Sequence, residues 1–239
     1  MIRAILFDFG GTLDTDGIHW SEKFWDIYQR LGIPIAKSDY EKAYIASESI
    51  LSNENIDPDC SLLELLNRQI RLQTSYLADR NLLNQTGNPA QLAALIARQC
   101  YDDILNFMEK TKIILGALKN EYRLGLVSNF NGNLTTVCKE LGIIEYFSTI
   151  IDSTIVGVSK PDPQIFRIAL AQLGVGANEC AMVGDSYERD IASAKSLGCT
   201  TIWLHGRSWK EPETTELADF CIHSLRELPN LIRDIGGSH

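Results

Sequence analysis

The stretch Met1-Ile2-Arg3-Ala4-Ile5-Leu6-Phe7-Asp8-Phe9-Gly10-Gly11-Thr12-Leu13 decides the fold. From Ile2 to Asp8 it is a nearly continuous apolar run, broken only by Arg3 and closed by Asp8, and Gly10-Gly11 then stops it. An almost unbroken apolar run ended by turn residues is the pattern of a parallel strand buried on both faces. Four later runs repeat it: Leu124 to Val127 before Ser128-Asn129, Cys180 to Val183 before Gly184-Asp185, Thr200 to Leu204 before His205-Gly206, and Asp219 to Ile222 before Ser224. Between them apolar residues recur three and four apart, as in Leu134, Val137, Cys138 and Leu141, or Ile165, Phe166, Ala169, Leu170 and Leu173, which is helix spacing. Strand alternating with helix predicts an α/β fold, a doubly wound parallel sheet.

The stretch from Ile18 to Met108 reads differently, with helix periodicity throughout and no strand. Trp20, Phe24, Ile27, Tyr28 and Leu31 share one face; Tyr40 to Leu51 supply a second; Leu63, Leu66, Ile70 and Leu77 a third; Leu92, Ile96, Cys100, Ile104 and Met108 a fourth. Pro58, Gly87 and Pro89 act as breakers. The organisation expected is an α/β core over 1–17 and 109–239, with an all-helical cap, 18–108, inserted after the first strand and the sheet resuming near Ile113.

Composition narrows the function. The 239 residues are 45% hydrophobic and 22% charged, ordinary globular values that exclude disorder and fibrous repeats. Lys and Arg total 22 against 31 Asp and Glu, a net charge of −9, which repels a polyanion and excludes nucleic acid as the main partner. Charged residues interrupt every apolar run before the roughly 18 to 20 residues needed to cross a bilayer, and the opening run is too short for a signal peptide and lacks its cleavage pattern. A soluble, cytoplasmic protein with no membrane partner is expected; the oligomeric state is left open. Cys60, Cys100, Cys138, Cys180, Cys199 and Cys221 are scattered, without a CxxC pair, and read as reduced, small core residues.

In an open parallel sheet, ligands lie beyond the carboxyl ends of the strands, so Asp8, Ser128 and Asp185 should meet at one rim. Each alone is an ordinary turn former; together at one rim they point to chemistry. The chain here resembles the haloacid dehalogenase (HAD) superfamily, most closely its phosphatase-like members with a helical cap after the first strand. Four segments carry the resemblance, in order: Asp8-Phe9-Gly10-Gly11-Thr12-Leu13, Ser128-Asn129, Lys160-Pro161-Asp162-Pro163, and Gly184-Asp185-Ser186-Tyr187-Glu188-Arg189-Asp190. It implies a Mg²⁺-dependent hydrolase of small phosphorylated metabolites in which Asp8 is the nucleophile and forms an aspartyl-phosphate. Asp8, the Gly10 carbonyl and Asp185 would hold Mg²⁺, with Asp190 holding a metal-bound water or orienting Lys160. Ser128 and the backbone amides of Phe9 and Asn129 would donate to the phosphoryl oxygens, and Lys160 would supply a positive charge. Carboxylates so crowded would repel and protonate without a cation, so the acidic cluster itself calls for one.

One position departs from the family. Two residues after the nucleophile its phosphatases place an acid/base Asp; here that residue is Gly10, and such a group contributes about 10² to 10⁴ in rate. Three readings follow: a phosphatase that is slower, takes good leaving groups or borrows a proton from Asp14, Asp16 or His19; a metal-independent 2-haloacid dehalogenase, whose halide leaves without a proton; or a phosphate-binding or interaction protein with weak turnover. In the cap, Trp20, Trp25, Tyr28 and Tyr44 suit either ring stacking on a substrate or helix packing, the second being the better fit for most. Arg68 and Arg71 suit an anionic substrate tail or a solvated face, and Trp203 and Trp209 lie near the predicted rim.

Overall fold

The opening apolar run forms strand β1 (Ala4–Phe7), whose alternate residues enter opposite layers. Ile5 and Phe7 join one core with Leu124, Leu126, Ala181 and Val183, while Ala4 and Leu6 join a second with Val127, Phe166 and Met182. The period of two along a strand, met on both faces by apolar neighbours, is what makes the run nearly continuous. The computed structural model describes residues 1–83, 88–208 and 214–237. Within them the remaining strands are β2 (Arg123–Ser128), β3 (Thr149–Asp152), β4 (Cys180–Gly184), β5 (Thr200–Leu204) and β6 (Phe220–Ile222). All pairings are parallel, in the order β3-β2-β1-β4-β5-β6, a doubly wound arrangement whose direction reverses between β1 and β4.

Five of these strands coincide with the runs read from sequence. The sixth, β3, was not among them: it is four residues long, lies at the sheet edge and is bounded by Ser148 and Ser153, so its apolar run is only two isoleucines.

The segment after β1 is helical, in α1 (Trp20–Arg30), α2 (Lys37–Leu51), α3 (Leu62–Ala78) and α4 (Pro89–Lys119). Helix α3 starts at a capping box in which the Ser61 hydroxyl accepts from the Glu64 amide and the Glu64 carboxylate from the Ser61 amide. Helix α4 starts with Pro89 in its first turn and Asn88 as cap; Gly87 lies outside the described residues. The sheet resumes at Arg123, not near Ile113. Ile113-Ile114-Leu115 reads locally as a strand, yet the buried set is Thr111, Ile114, Leu115 and Leu118, a helix spacing of i, i+3, i+4 and i+7 that leaves Ile113 75% exposed. Helix α4 therefore runs unbroken through 108/109 for about 45 Å, at 1.5 Å per residue. Its Thr111 hydroxyl donates to the Leu13 carbonyl at 2.9 Å, tying it to the loop after β1.

The chain then continues through α5 (Leu134–Glu140), α6 (Ser153–Val156), α7 (Gln164–Leu173), α8 (Ser193–Lys195) and α9 (Leu228–Gly237). Four of the six cysteines are buried, Cys60 is half-buried and Cys221 is exposed; all six are free thiols. Among the described residues no helix is long and apolar enough to cross a membrane.

Candidate active site

Strands β1 and β4 pair with Phe7 beside Val183, so Asp8 and Asp185 leave adjacent strand ends at the reversal point, and Ser128 closes β2 on the other side of β1. The loop after β1 must turn at once. Gly11 does this at φ +89°, and a Cβ there would lie 2.3 Å from Asp185 Oδ2, so only glycine admits that carboxylate. Gly184 serves Asp190 in the same way: a Cβ would lie 2.3 Å from its Oδ2.

Lys160 lies between the carboxylates. Its Nζ donates to Asp8 Oδ1 and Asp190 Oδ1, each at 2.6 Å, and to the Val127 carbonyl at 3.1 Å. Ser128 Oγ also donates to Asp8 Oδ1, at 2.9 Å, so both donors fall on one oxygen of Asp8. The Lys160 backbone is clamped by Asn129, whose side-chain amide donates to the Lys160 carbonyl and accepts from its N–H, both at 2.8 Å. Burial alone would pull the Lys160 ammonium down; contact with Asp190 and Asp8 overrides it and holds the group above the usual lysine value. Asp185 is pushed well above the carboxylate range by burial and by the charges of Asp8 and Asp190, partly offset by Thr12, whose hydroxyl donates to Asp185 Oδ1 at 3.1 Å.

These groups open onto a cavity of about 750 Å³ whose wall includes Asp8, Gly10, Ser128, Asn129, Lys160 and Asp185. Asp190 lies behind Lys160, fully buried, with its second oxygen accepting from the Ser186 amide at 3.1 Å. The Phe9 ring turns into the core against Phe130, with centroids 5.6 Å apart, leaving only its backbone for the site. The ligand oxygens of Asp8, Asp185 and Asp190 lie within 4.8 Å of one another. Three carboxylates against one lysine, all hard oxygen donors, suit a divalent hard cation.

Of the residues after the first motif, Asp14 is buried and held by Gly11 N–H (2.8 Å), Thr15 Oγ1 (3.1 Å) and Trp20 Nε1 (2.5 Å); burial raises its pKa to about 7. Asp16 accepts from Ser224 Oγ and the Leu225 amide, bracing the far end of the loop. His19 alone of the three lines the cavity, and burial, reinforced by Arg189, lowers its pKa. Trp20 and Tyr44 also reach the wall, whereas Trp25 and Tyr28 pack on Tyr40 at 5.1 and 5.2 Å. Arg68 pairs with Glu54 at 2.6 Å and, with Arg71, lines a separate open concavity. Trp203 is on the cavity wall, its indole donating to the Asp185 carbonyl at 2.9 Å; Trp209 lies outside the described residues. Sequence reasoning missed Thr12, the Asn129 clamp, and Glu48 and Arg189, which both line the cavity; burial raises the pKa of the Glu48 carboxyl, and Arg189 partly offsets this. Thr12 and Asn129 lay inside quoted motifs; Glu48 had no signal, since one acidic residue on a helix face is ordinary.

Residues 2–198 match the family described as haloacid dehalogenase-like hydrolase, and the chain belongs to it. Among curated relatives it is 35% identical over 95 residues to glyceraldehyde 3-phosphate phosphatase of Methanocaldococcus jannaschii, covering 40% of this chain and 42% of that one. It is 38% identical over 88 residues to phosphoserine phosphatase of Thermus thermophilus, covering 36% and 34%. The matches thus span less than half the length of these relatives. The fold is shared with L-2-haloacid dehalogenase from Xanthobacter autotrophicus at TM-score 0.61 and 18% identity, over 98% of this chain and 99% of that one.

Proposed function

We propose that this hydrolase cleaves small phosphate monoesters through an aspartyl-phosphate on Asp8. The observation that carries the reading is the junction at the β1 and β4 ends: Asp8, Asp185 and Asp190 have oxygens within 4.8 Å of one another beside one buried lysine, and Asp8, Asp185 and Lys160 line a cavity of small-molecule size. A carboxylate oxygen of Asp8 attacks phosphorus as the ester P–O bond breaks and the alkoxide departs to take up a proton; water then cleaves the acyl phosphate, giving up a proton, releasing inorganic phosphate and regenerating the Asp8 carboxylate. Lys160, Ser128 and the amides of Phe9 and Asn129 hold the phosphoryl oxygens, and Asp190 keeps Lys160 aimed and charged. The excess of carboxylates fits Mg²⁺ held by Asp8, Asp185 and the Gly10 carbonyl; when bound, the ion offsets charge on the transferred group. The helices between β1 and β2 act as the cap, with Trp20, Tyr44 and Glu48 from them and Arg189 from the segment after β4 meeting the rest of the substrate. The phosphatase names among the relatives support this reading.

Gly10 favours a second reading, a 2-haloacid dehalogenase, because a departing halide needs no proton. Against it, a metal-free site would leave Asp185 uncompensated near Asp8.

A panel of phosphate monoesters with Mg²⁺ and with EDTA, alongside a short 2-halo acid, separates them. Mg²⁺-dependent phosphate release is expected, lost at least ~10³-fold in Asp8→Asn with the thermal midpoint kept. Chelator-indifferent halide release, or full phosphatase activity in Asp8→Asn, would overturn the mechanism.

A further inference from the structure

Strands β5 and β6 pair with Trp203 beside Cys221 and Leu204 beside Ile222, and the His205 amide continues the ladder to the Ile222 carbonyl at 2.8 Å. Side chains two apart on a strand share a face, and so do paired neighbours. The same register therefore places His205 and His223 on the face that carries Trp203 and Cys221. The contacts agree: the Trp203 and His205 rings stack at 4.2 Å, and the two imidazoles lie 5.5 Å apart. One ligand atom each from His205, Cys221 and His223 falls within 4.8 Å of the others. We propose that these three residues form a binding site for a thiophilic divalent cation of the zinc class, separate from the carboxylate cluster.

The donor set argues the metal. Two imidazole nitrogens and a thiolate prefer zinc-like cations, whereas Mg²⁺ takes oxygen. Three protein ligands leave a fourth tetrahedral position, and the exposure of Cys221 and His223 at the sheet edge admits water or an exogenous ligand there. The imidazoles are already oriented. His223 Nδ1 lies 3.0 Å from the His205 carbonyl, a contact that assigns the proton to Nδ1 and turns Nε2 into the free donor, the arrangement metal-binding histidines use. Trp203 stacked on His205 restrains the other ring. Cys221 is also the one cysteine exposed to solvent. The inference does not depend on the reaction at Asp8.

Cobalt titration of the full chain in excess Mg²⁺, which keeps the carboxylate cluster occupied, tests it. One equivalent of Co²⁺ should produce the near-ultraviolet thiolate-to-cobalt charge-transfer band with the intense visible bands of four-coordinate cobalt, and Zn²⁺ should displace it. Cys221→Ser should lose the charge-transfer band, and His223→Gln should weaken binding at least ~10-fold. Both sites are exposed, so the thermal midpoint without metal should stay within a few degrees. No charge-transfer band at one equivalent, a band that survives Cys221→Ser, or unchanged affinity in His223→Gln would each overturn the site.

Discussion

Gly10 and Gly11 stand side by side and are glycine for different reasons. Gly11 has a positive φ and no room for a Cβ beside Asp185, so any side chain there displaces a carboxylate of the site. Gly10 has an ordinary φ of −73°, and a Cβ would sit 3.6 Å from Trp20 Nε1, a normal contact. What fills the space beyond Gly10 is the indole held by Asp14. Gly10→Asp is therefore expected to fold and, on the proposed mechanism, to raise turnover on esters with poor leaving groups by up to ~10²-fold, with little change for p-nitrophenyl phosphate. Steady-state rates on an alkyl and an aryl phosphate check this; equal rates before and after would mean that another acid already serves. Asp8, Ser128 and Asp185 were legible because each lies at the end of a strand, and Lys160, in the loop between α6 and α7, because the Lys160-Pro161-Asp162-Pro163 segment resembles a family motif. The Trp20–Asp14 contact was not, since it joins two elements in three dimensions.

The loop leaving β4 shows why an element can be read and its packing cannot. Cys180 to Gly184 is a plain apolar run, but nothing local says that Gly184 must lack a side chain so that Asp190 can fold back against it and reach Lys160. Gly184→Ala should push Asp190 off Lys160, leave a buried ammonium short of one partner, and cost roughly 1 to 3 kcal/mol. Denaturant melts would read this as a lower midpoint with unchanged slope, accompanied by a larger loss of activity than of stability; an unaltered midpoint would mean that the loop relaxes freely. Helix α4 carries a similar lesson. Its Ile113-Ile114-Leu115 triplet is locally strand-like, and only the sheet and α9 beneath it select the helical face.

At the scale of the whole molecule the notable quantity is surplus negative charge at the sheet's reversal point. Asp185 and Asp14 both hold protons more tightly folded than unfolded, for which the ordinary aspartate value is about 3.9. Their contribution to stability is thus complete below about pH 4 and declines as pH rises toward the folded values, about 7 for Asp14. On the proposed metal site, a bound divalent cation would replace the proton at Asp185 but do nothing for Asp14, which is held by Trp20. The difference in melting temperature between Mg²⁺ and EDTA is accordingly expected to widen from about pH 5 to about pH 8, while each curve keeps a residual decline. A calorimetric gap that stayed constant or narrowed would count against the metal site.

Hydrophobic period and strand-end residues, which are local properties of the chain, determined the alternating architecture, the helical segment after the first strand and the common rim of Asp8, Ser128 and Asp185, because burial on one or two faces leaves its mark on consecutive positions. The edge strand Thr149–Asp152, the unbroken α4, the spaces at Gly11 and Gly184, the Asn129 clamp and the His205, Cys221 and His223 cluster were decided only by the tertiary structure. Each depends on atoms distant in sequence approaching within a few ångströms, and no periodicity in a single segment records such an approach.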